Sequence, residues 1–503
     1  MIILTHSCVI VLGLHEGMSV TKAALKQKSN RQVSIPAKIA YGMGHSLLSV
    51  KNMLFHFFFL FFFSNILGVP VLLVGVVTLI AILVDAFTDP IMGQISDNYR
   101  SEKWGRRHKF MLWSIIPTAI ALALLFAPPS ALGPTGVFIW MLFFSLIVRL
   151  GLTVYGVPYY ALSAELSTAY NERTSITAVR EFFNNIFNMI LFILAFTVFL
   201  PETPEFEDGM MNQAGYAPMV ATLAIIGALG AFVATYGTRH KVPDLRRYTD
   251  DTRSGWKDTF SQLAKAANIN SFVWLCGGYG LTLILYGAGS ALSLYMGVYL
   301  WELSQEGKLL LSLAPFISLI PAVILATVLA AKMDKKPAAI FFAVLYMTCN
   351  LLPYLAYRLG LMPDLDHPNL LPLIAFASAI GFSALTGIII ITSSMLADVA
   401  DEMELETTKR QEGILSASYS FAQKMTFAMG TLIAAIALAV IKFPKQAKPS
   451  DVTQTQINGL ADVSILIALL FGVGAIYCFL RYNLTRKRHM EIQAKLAVVR
   501  GEV

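Results

Sequence analysis

The sequence predicts an all-α membrane protein with twelve transmembrane helices arranged as two six-helix bundles. Apolar residues make up 56% of the 503-residue chain and charged residues only 14%, whereas soluble globular proteins have about 45–50% and about 25%. The apolar residues are gathered into runs of the length that crosses about 30 Å of hydrocarbon. The basic residues, which give a net charge of +7, lie mostly between those runs. This composition excludes a soluble fold and a nucleic-acid-binding surface.

Twelve apolar runs are long enough to cross a bilayer. We predict spans 1 to 12 at 36–66, 69–96, 108–128, 136–164, 179–200, 217–237, 271–299, 308–331, 337–358, 370–397, 413–441 and 459–481. The apolar piece Met1–Leu14 is too short to span and has no basic leader. We therefore expect residues 1–35 to form a disordered cytoplasmic segment.

The placement of Lys and Arg predicts that both termini are cytoplasmic. In that orientation 30 of the 38 basic residues lie in cytoplasmic segments or at the cytoplasmic ends of spans, as the positive-inside rule requires. The basic linker 238–270 separates an N-terminal bundle, 36–237, from a C-terminal bundle, 271–482, which the basic tail 483–503 follows. Two like halves around a cavity are typical of transporters. We expect the acidic loop 201–216, on the other side, to be a solvated cap.

Span 2 carries two aspartates within apolar sequence. An ionised side chain in hydrocarbon costs several kcal/mol, so it marks a functional site by default. Asp85 and Asp89 are four residues apart, which places both carboxylates on one helix face with the Thr88 hydroxyl nearby. Pro90 lacks an N–H and should free a backbone carbonyl. This oxygen cluster suits a monovalent cation or a proton; the alternative is a pair of salt bridges that serves assembly alone.

Three basic residues also lie near the middle of spans. Lys424 in span 11 requires a carboxylate partner at that depth, and the span 2 aspartates are candidates across the two halves. A cation that competes with Lys424 for those carboxylates would act as a switch. Lys51 in span 1 and Arg149 in span 4 would make the cavity electropositive, which favours an anionic substrate. The alternative for both is pairing with neighbouring groups or a water-filled vestibule.

Charged residues also gather at the cytoplasmic ends of the spans. Opposite charges at matching ends would form ion pairs that close this side and break on opening. Isolated surface pairs contribute only about 0–1 kcal/mol, so a gate requires a network, and ordinary positive-inside anchoring is the alternative. The predicted gate residues are Asp97, Arg106, Arg107, Glu165, Arg173, Asp398, Asp401 and Arg410.

Three motifs resemble those of the glycoside–pentoside–hexuronide:cation symporters, the melibiose-permease-like branch of the major facilitator superfamily. They are Asp85-Ala-Phe-Thr-Asp89-Pro-Ile-Met-Gly93, Gly156-Val-Pro-Tyr-Tyr-Ala-Leu162, and Met395-Leu-Ala-Asp398-Val-Ala-Asp401-Glu with Lys409-Arg-Gln-Glu-Gly413. The similarity runs from about Pro36 to the end of span 12. It implies the major facilitator fold and symport of a sugar or glycoside by alternating access, in a bacterial inner membrane.

The resemblance also implies roles for individual residues. The family's sodium, lithium or proton site falls on Asp85, Thr88, Asp89 and Thr153, with Thr88 in place of the common Asn. The family's span 5 arginine and span 11 lysine fall on Arg180 and Lys424. Its sugar-stacking aromatic falls on Tyr160. The full set of predicted substrate residues is Ser49, Lys51, Arg149, Gly156, Tyr160, Arg180 and Lys424.

Two departures from the family bear on the substrate. Melibiose-type members hold sugar hydroxyls with two acidic residues, and those positions are Ser49 and Gly156 here. Because two negative charges are missing while Lys51 and Arg149 are present, we hypothesise an acidic, hexuronide-like glycoside. The related animal lysophosphatidylcholine symporters share the span 2 aspartates and also lack the acidic pair. A lysophospholipid is therefore the alternative substrate.

Two other functional classes remain open at this point. Intramembrane prenyltransferases use Asp-x-x-x-Asp pairs to hold magnesium diphosphate, but they do not require two six-span halves or Lys424. A non-transporting sensor would tolerate loss of both aspartates. For the symporter we expect no catalytic residue and no cofactor beyond the coupling ion, Na⁺ or H⁺. We expect a monomer whose partners are a small-molecule substrate and the bilayer.

Overall fold

The computed structural model describes residues 33–99, 101, 103–167, 170–241, 269–407 and 412–499. The predictions for the segment 1–35 and for the linker 238–270 fall almost wholly outside these residues. The described residues are predominantly helical and contain no β-sheet, apart from one isolated bridge between Thr203 and Phe206.

Eleven helices of the described chain are long and apolar enough to cross a membrane, and they correspond to predicted spans 2 to 12. Span 5 continues into the π-helix Ala195–Phe199 and span 7 into the π-helix Met296–Leu300. The α-helices of spans 2 to 12 are Val71–Asn98, His108–Leu125, Pro134–Leu166, Tyr170–Leu194, Gln213–Gly237, Asn270–Tyr295, Gln305–Ile317 with Leu319–Lys332, Lys335–Arg358, Leu370–Thr407, Glu412–Val440 and Gln454–Arg481.

The predicted first span, 36–66, is not a single regular helix, so eleven of the twelve predicted spans are matched by helices of membrane-crossing length in the described chain. It consists of α-helices Ile35–Met43 and Ser46–Met53 followed by π-helices Leu54–Phe58 and Phe61–Ile66. At the break between the two α-helices, a Cβ on Gly44 would lie 2.6 Å from both Ala234 and Tyr159. The break in span 1 therefore lies where spans 4 and 6 both approach its backbone so closely that only glycine fits.

The two six-helix halves repeat one packing pattern. In the first half span 1 packs on spans 5 and 6, span 2 on span 4, and span 3 on spans 4 and 6. Each of these pairings recurs between the spans numbered six higher in the second half. The halves meet along span 2 against span 11 and span 5 against span 8, which are themselves related by the same repeat. The structure therefore has the duplicated architecture of two bundles around a central interface.

The two ends of the bundle differ in the segments they carry. The end at which span 1 begins and span 12 ends is called the terminal end, and the other is called the opposite end. After span 12 the helix Arg486–Val499 returns along the terminal end of span 10. Its Ile492 and Leu496 are buried, so this part of the basic tail is attached to the C-terminal half.

Candidate cation and substrate site

Asp85 is paired with a basic residue of its own half. Arg149 Nη1 donates to Asp85 Oδ2 at 2.9 Å, and the side chains are only 7% and 10% exposed, respectively. The Arg149 guanidinium also lies 4.9 Å from the centre of the Phe55 ring. Asp85 Oδ1 is buried and has no hydrogen-bond partner among the described residues. The structure thus pairs Asp85 with a basic side chain of the protein itself, one of the alternatives that the sequence allowed.

Asp89 has partners from both halves. The Thr153 hydroxyl donates to Asp89 Oδ1 at 2.7 Å, and the Lys424 ammonium forms an ion pair with Asp89 Oδ2. Thr88 Oγ1 lies 3.4 Å from Thr153 Oγ1 and donates to the Val84 carbonyl. Asp89 and Lys424 are 21% and 51% exposed. Three of the predicted cation ligands therefore lie together, and Lys424 reaches one of them across the interface between the halves.

The spacing of these residues explains their pairing. Asp85 and Asp89 are four residues apart on span 2, and Arg149 and Thr153 are four apart on span 4. Residues at this spacing share a helix face, and the two spans pack against each other. Asp85 consequently faces Arg149, and Asp89 faces Thr153.

Lys51 belongs to the same electrostatic neighbourhood. It is half-buried and interacts electrostatically with both aspartates, Arg149 and Lys424. Arg149 and Lys424 each have a carboxylate partner, whereas Lys51 has none at ion-pair distance in the described part of the chain. In this group of two acids and three bases, Lys51 is therefore the base without a carboxylate partner in the described part of the chain.

Tyr160 and Arg180 lie together, as expected if both contact one substrate. Tyr160 is 44% exposed, and the Arg180 guanidinium is 5.1 Å from the centre of its ring. Arg180 Nε and Nη2 both donate to Glu181 Oε1, at 3.1 and 2.7 Å. The His45 ring meets Tyr160 edge-on at 6.1 Å. An exposed aromatic face held beside a charged pair can stack on a ring and bind its hydroxyls.

Ser49 and Gly156 occupy the positions of the missing acids. The Ser49 hydroxyl is hydrogen-bonded to Asn184 Oδ1 at 3.0 Å, and Asn184 in turn donates to Glu181 Oε2 at 3.3 Å. A Cβ on Gly156 would be 3.5 Å from Leu48, which is ordinary contact, so a side chain could start there. Glu181 and Asn184 are not among the predicted site residues. The available signal was their position on the same polar stretch of span 5 as Arg180.

The predicted gate residues form ion pairs at the terminal end, each within one half. Arg107 pairs with Asp97, and Glu165 Oε1 is at ion-pair distance, 2.9 Å, from both Arg106 and Arg107. In the C-terminal half the corresponding pairs are Lys335–Asp398 at 2.7 Å and His489–Asp401 at 2.9 Å. The Arg173 side chain and Arg410 lie outside the described residues. The gate role of this set stays a prediction.

Cross-half contacts at the opposite end were not predicted. Lys308, 4% exposed, pairs with Asp208 at 2.7 Å, and Asn65 donates to the Tyr299 hydroxyl at 2.8 Å. Asp208 lies in the acidic loop 201–216, so the prediction of a purely solvated cap is wrong for this residue. The Asp208 carboxylate neutralises the buried Lys308 ammonium on span 8, which would be destabilising without a partner.

Comparison with known proteins places the chain in a family. Residues 40–486 match the family model described as MFS/sugar transport protein. An uncharacterized symporter of Synechocystis is 24% identical over 93% of this chain and 97% of its own length. The putative glycoside/cation symporter YagG of Escherichia coli is 24% identical over 92% and 95%, and the isoprimeverose transporter of Lactiplantibacillus pentosus is 21% identical over 80% and 79%.

Solved structures agree on the fold. A bacterial homologue of the lysosomal transporter Spinster superposes with a TM-score of 0.60, covering 91% of this chain and 97% of that one at 11% identity. The xylose transporter XylE of E. coli gives 0.58, covering 91% and 98%, also at 11% identity. The chain therefore belongs to the MFS/sugar transport protein family and is a multi-pass membrane transporter of the major facilitator fold, not an enzyme.

Proposed function

We propose that this protein is a cation-coupled symporter that carries a sugar or glycoside by alternating access. The observation that carries the proposal is the contact of Asp89 with Thr153 of its own half and Lys424 of the other. A charged pair that joins the two halves holds one conformation, and a cation that replaces Lys424 at Asp89 releases it. Differential binding of a ligand to two conformations is what couples that ligand to the change between them.

The transport cycle follows from where the groups lie. Na⁺ or H⁺ binds among Asp89, Thr88 and Thr153 and frees the Lys424 ammonium. The substrate then binds between the halves near Tyr160 and Arg180, and the halves rock to expose both ligands to the other side. Placement of the termini in the cytoplasm, the bacterial inner membrane as location and a monomer as transporting unit are parts of this proposal.

For the substrate we favour an acidic glycoside. Lys51 is the basic residue of this group that has no carboxylate at ion-pair distance among the described residues, and the positions of the family's two acidic sugar ligands are the neutral Ser49 and Gly156. A buried or half-buried charge without a partner is costly, so an anionic substrate stabilises the cavity where a neutral galactoside does not. A lysophospholipid remains the competing outcome of the experiment.

The experiment is uptake by purified protein in proteoliposomes under an imposed Na⁺ or H⁺ gradient. Radiolabelled melibiose, a glucuronide and a lysophosphatidylcholine are the three probes. We expect the glucuronide to accumulate only with a gradient, and Asp89→Asn to abolish accumulation. Asp462→Asn serves as the matched control, because Asp462 forms an exposed ion pair with Arg358 within the C-terminal half.

Two results would contradict the proposal at different levels. Accumulation of melibiose or lysolipid in preference to the glucuronide overturns the acidic substrate. Uptake that is indifferent to both gradients, or unchanged in Asp89→Asn, overturns cation coupling itself.

A further inference from the structure

We propose that Arg149 is a built-in counter-ion for Asp85, so that the coupling cation exchanges at Asp89 alone. This inference rests on the proposed cation coupling and deepens it, because it assigns different tasks to two carboxylates that sequence similarity treats as one site. Asp85 becomes a charge-compensated positioning residue, and a single monovalent cation or proton is transported in each cycle.

The first argument is where each pair lies relative to the moving interface. Arg149 and Asp85 sit on spans 4 and 2, which pack against each other within the N-terminal half. Their 2.9 Å contact is therefore unaffected when the halves rock. Asp89 and Lys424 belong to different halves, so their contact must change whenever the interface opens. A cation can be coupled to the conformational change only through a group whose environment differs between the two states.

The second argument is access. The side chains of Arg149 and Asp85 are 7% and 10% exposed, whereas those of Asp89 and Lys424 are 21% and 51% exposed. An ion that enters from the cavity reaches Asp89 first. To reach Asp85 it must displace a guanidinium that is fixed by a hydrogen bond on one side and by the Phe55 ring on the other.

The third argument is the supply of ligands. A hard monovalent cation requires several oxygen ligands, and Asp89 has the Thr153 hydroxyl bonded to it and Thr88 adjacent. Asp85 Oδ1 is buried, and no hydroxyl or amide of the described chain donates to it. The carboxylate of Asp85 therefore has a neutralising partner but has no hydroxyl bonded to it in the described chain, as Thr153 is bonded to Asp89.

The test measures cation binding to purified full-length protein, without any substrate. Bound radioactive sodium per protein and proton uptake after an acid pulse are the two readouts. The main variant is Asp85→Asn/Arg149→Gln, which removes the pair while leaving the local charge unchanged. The charge-swapped variant Asp85→Arg/Arg149→Asp keeps the pair and is used if the neutral variant does not fold. Size-exclusion profiles and melting temperatures report folding.

The expected results separate the two aspartates. Native protein and the neutral double variant both take up a single cation or proton, with affinities within about tenfold of each other. Asp89→Asn takes up none. Arg149→Gln alone leaves the Asp85 carboxylate without its ion-pair partner, and the affinity for the cation rises at least about tenfold, the effect of removing one adjacent positive charge.

Two outcomes overturn the inference. One is loss of cation binding in the folded neutral or charge-swapped variant; the other is an unchanged or weaker affinity in Arg149→Gln. Either of these leaves the proposed function standing as long as native protein binds the ion. If native protein takes up neither sodium nor protons, cation coupling fails, and the two failures are thereby distinguished.

Discussion

The two ends of the molecule hold their charged and polar groups in different ways. At the opposite end, hydrogen bonds and an ion pair join the N-terminal half to the C-terminal half. They include Asn65–Tyr299 at 2.8 Å, Lys308–Asp208 at 2.7 Å and Gln446–Ile66 at 3.2 Å. At the terminal end, every ion pair among the described residues stays within one half. They include Arg107–Asp97, Arg106–Glu165, Lys335–Asp398 and Arg488–Glu402.

The difference identifies which end is closed in this structure. Contacts that cross between halves resist their separation, whereas contacts within a half only stabilise that half. The structure therefore has polar contacts between the halves at the opposite end and, among the described residues, one further ion pair between them, Lys424–Asp89, farther along the same interface. If the termini are cytoplasmic, as the basic residues predict, the end at which these contacts join the halves is the outer end.

The largest effect should come from the buried ion pair at the closed end. Lys308→Met leaves Asp208 without its cation, and removal of one partner of a buried pair costs up to about 3–5 kcal/mol. The closed end should open more often. We expect a cysteine at Ser64, which is 6% exposed near this end, to react at least about tenfold faster with an impermeant maleimide, since about 1.4 kcal/mol already gives tenfold.

The control for this prediction is a pair at the same end that does not cross. Arg358 and Asp462 are both in the C-terminal half and are 38% and 53% exposed. Asp462→Asn should therefore leave labelling at position 64 unchanged. The measurements use a chain whose native cysteines, Cys8, Cys276, Cys349 and Cys478, are replaced. Equal labelling in Lys308→Met and in native protein would show that the ion pair does not hold the halves together.

A smaller effect should follow from a close helix contact across the interface. A Cβ on Gly75 of span 2 would lie 2.8 Å from the Cβ of Ala435 on span 11, which is too close without movement of one helix. Gly75→Ala should push the halves apart, at a cost of about 1–3 kcal/mol for overpacking, and raise the rate of labelling severalfold.

A second glycine on the same helix provides the matched control. A Cβ on Gly93 would have its nearest neighbour, Val157, at 3.9 Å within the same half. Gly93→Ala should leave labelling as it is in native protein. If both alanine variants label alike, the effect at Gly75 reflects helix propensity rather than the interface.

Helical periodicity explains how much of this arrangement could be predicted. The spacing of Asp85 and Asp89 is enough to place both on one face of span 2, and depth alone requires a carboxylate for Lys424. The choice among partners depends on how spans from distant parts of the sequence pack, which no local pattern contains. Arg149 was consequently expected to contact substrate, whereas the structure pairs it with Asp85.

The same limit explains what was missed at the closed end. Composition identifies 201–216 as an acidic loop, but a loop's partners are set by the helices around it. Asp208 is opposite Lys308 only because spans 5 and 8 meet at the interface between the halves. The break in the first span was equally invisible, since its aromatic run has the hydropathy of a regular helix and the cause lies in spans 4 and 6.

The smallest change in labelling should come from a substitution at the terminal end. It tests most directly whether the ion pairs at this end act only within one half. Glu165, 9% exposed, forms ion pairs with Arg106 and Arg107, and Glu165→Gln removes the charge while keeping an acceptor. Because all three residues belong to the N-terminal half, we expect a loss of about 1–3 kcal/mol in stability, measured by melting temperature, and unchanged labelling at position 64.

The gate hypothesis predicts a different result. If these charges close the terminal end in the alternate state, their loss disfavours that state, the opposite end opens less often, and labelling slows.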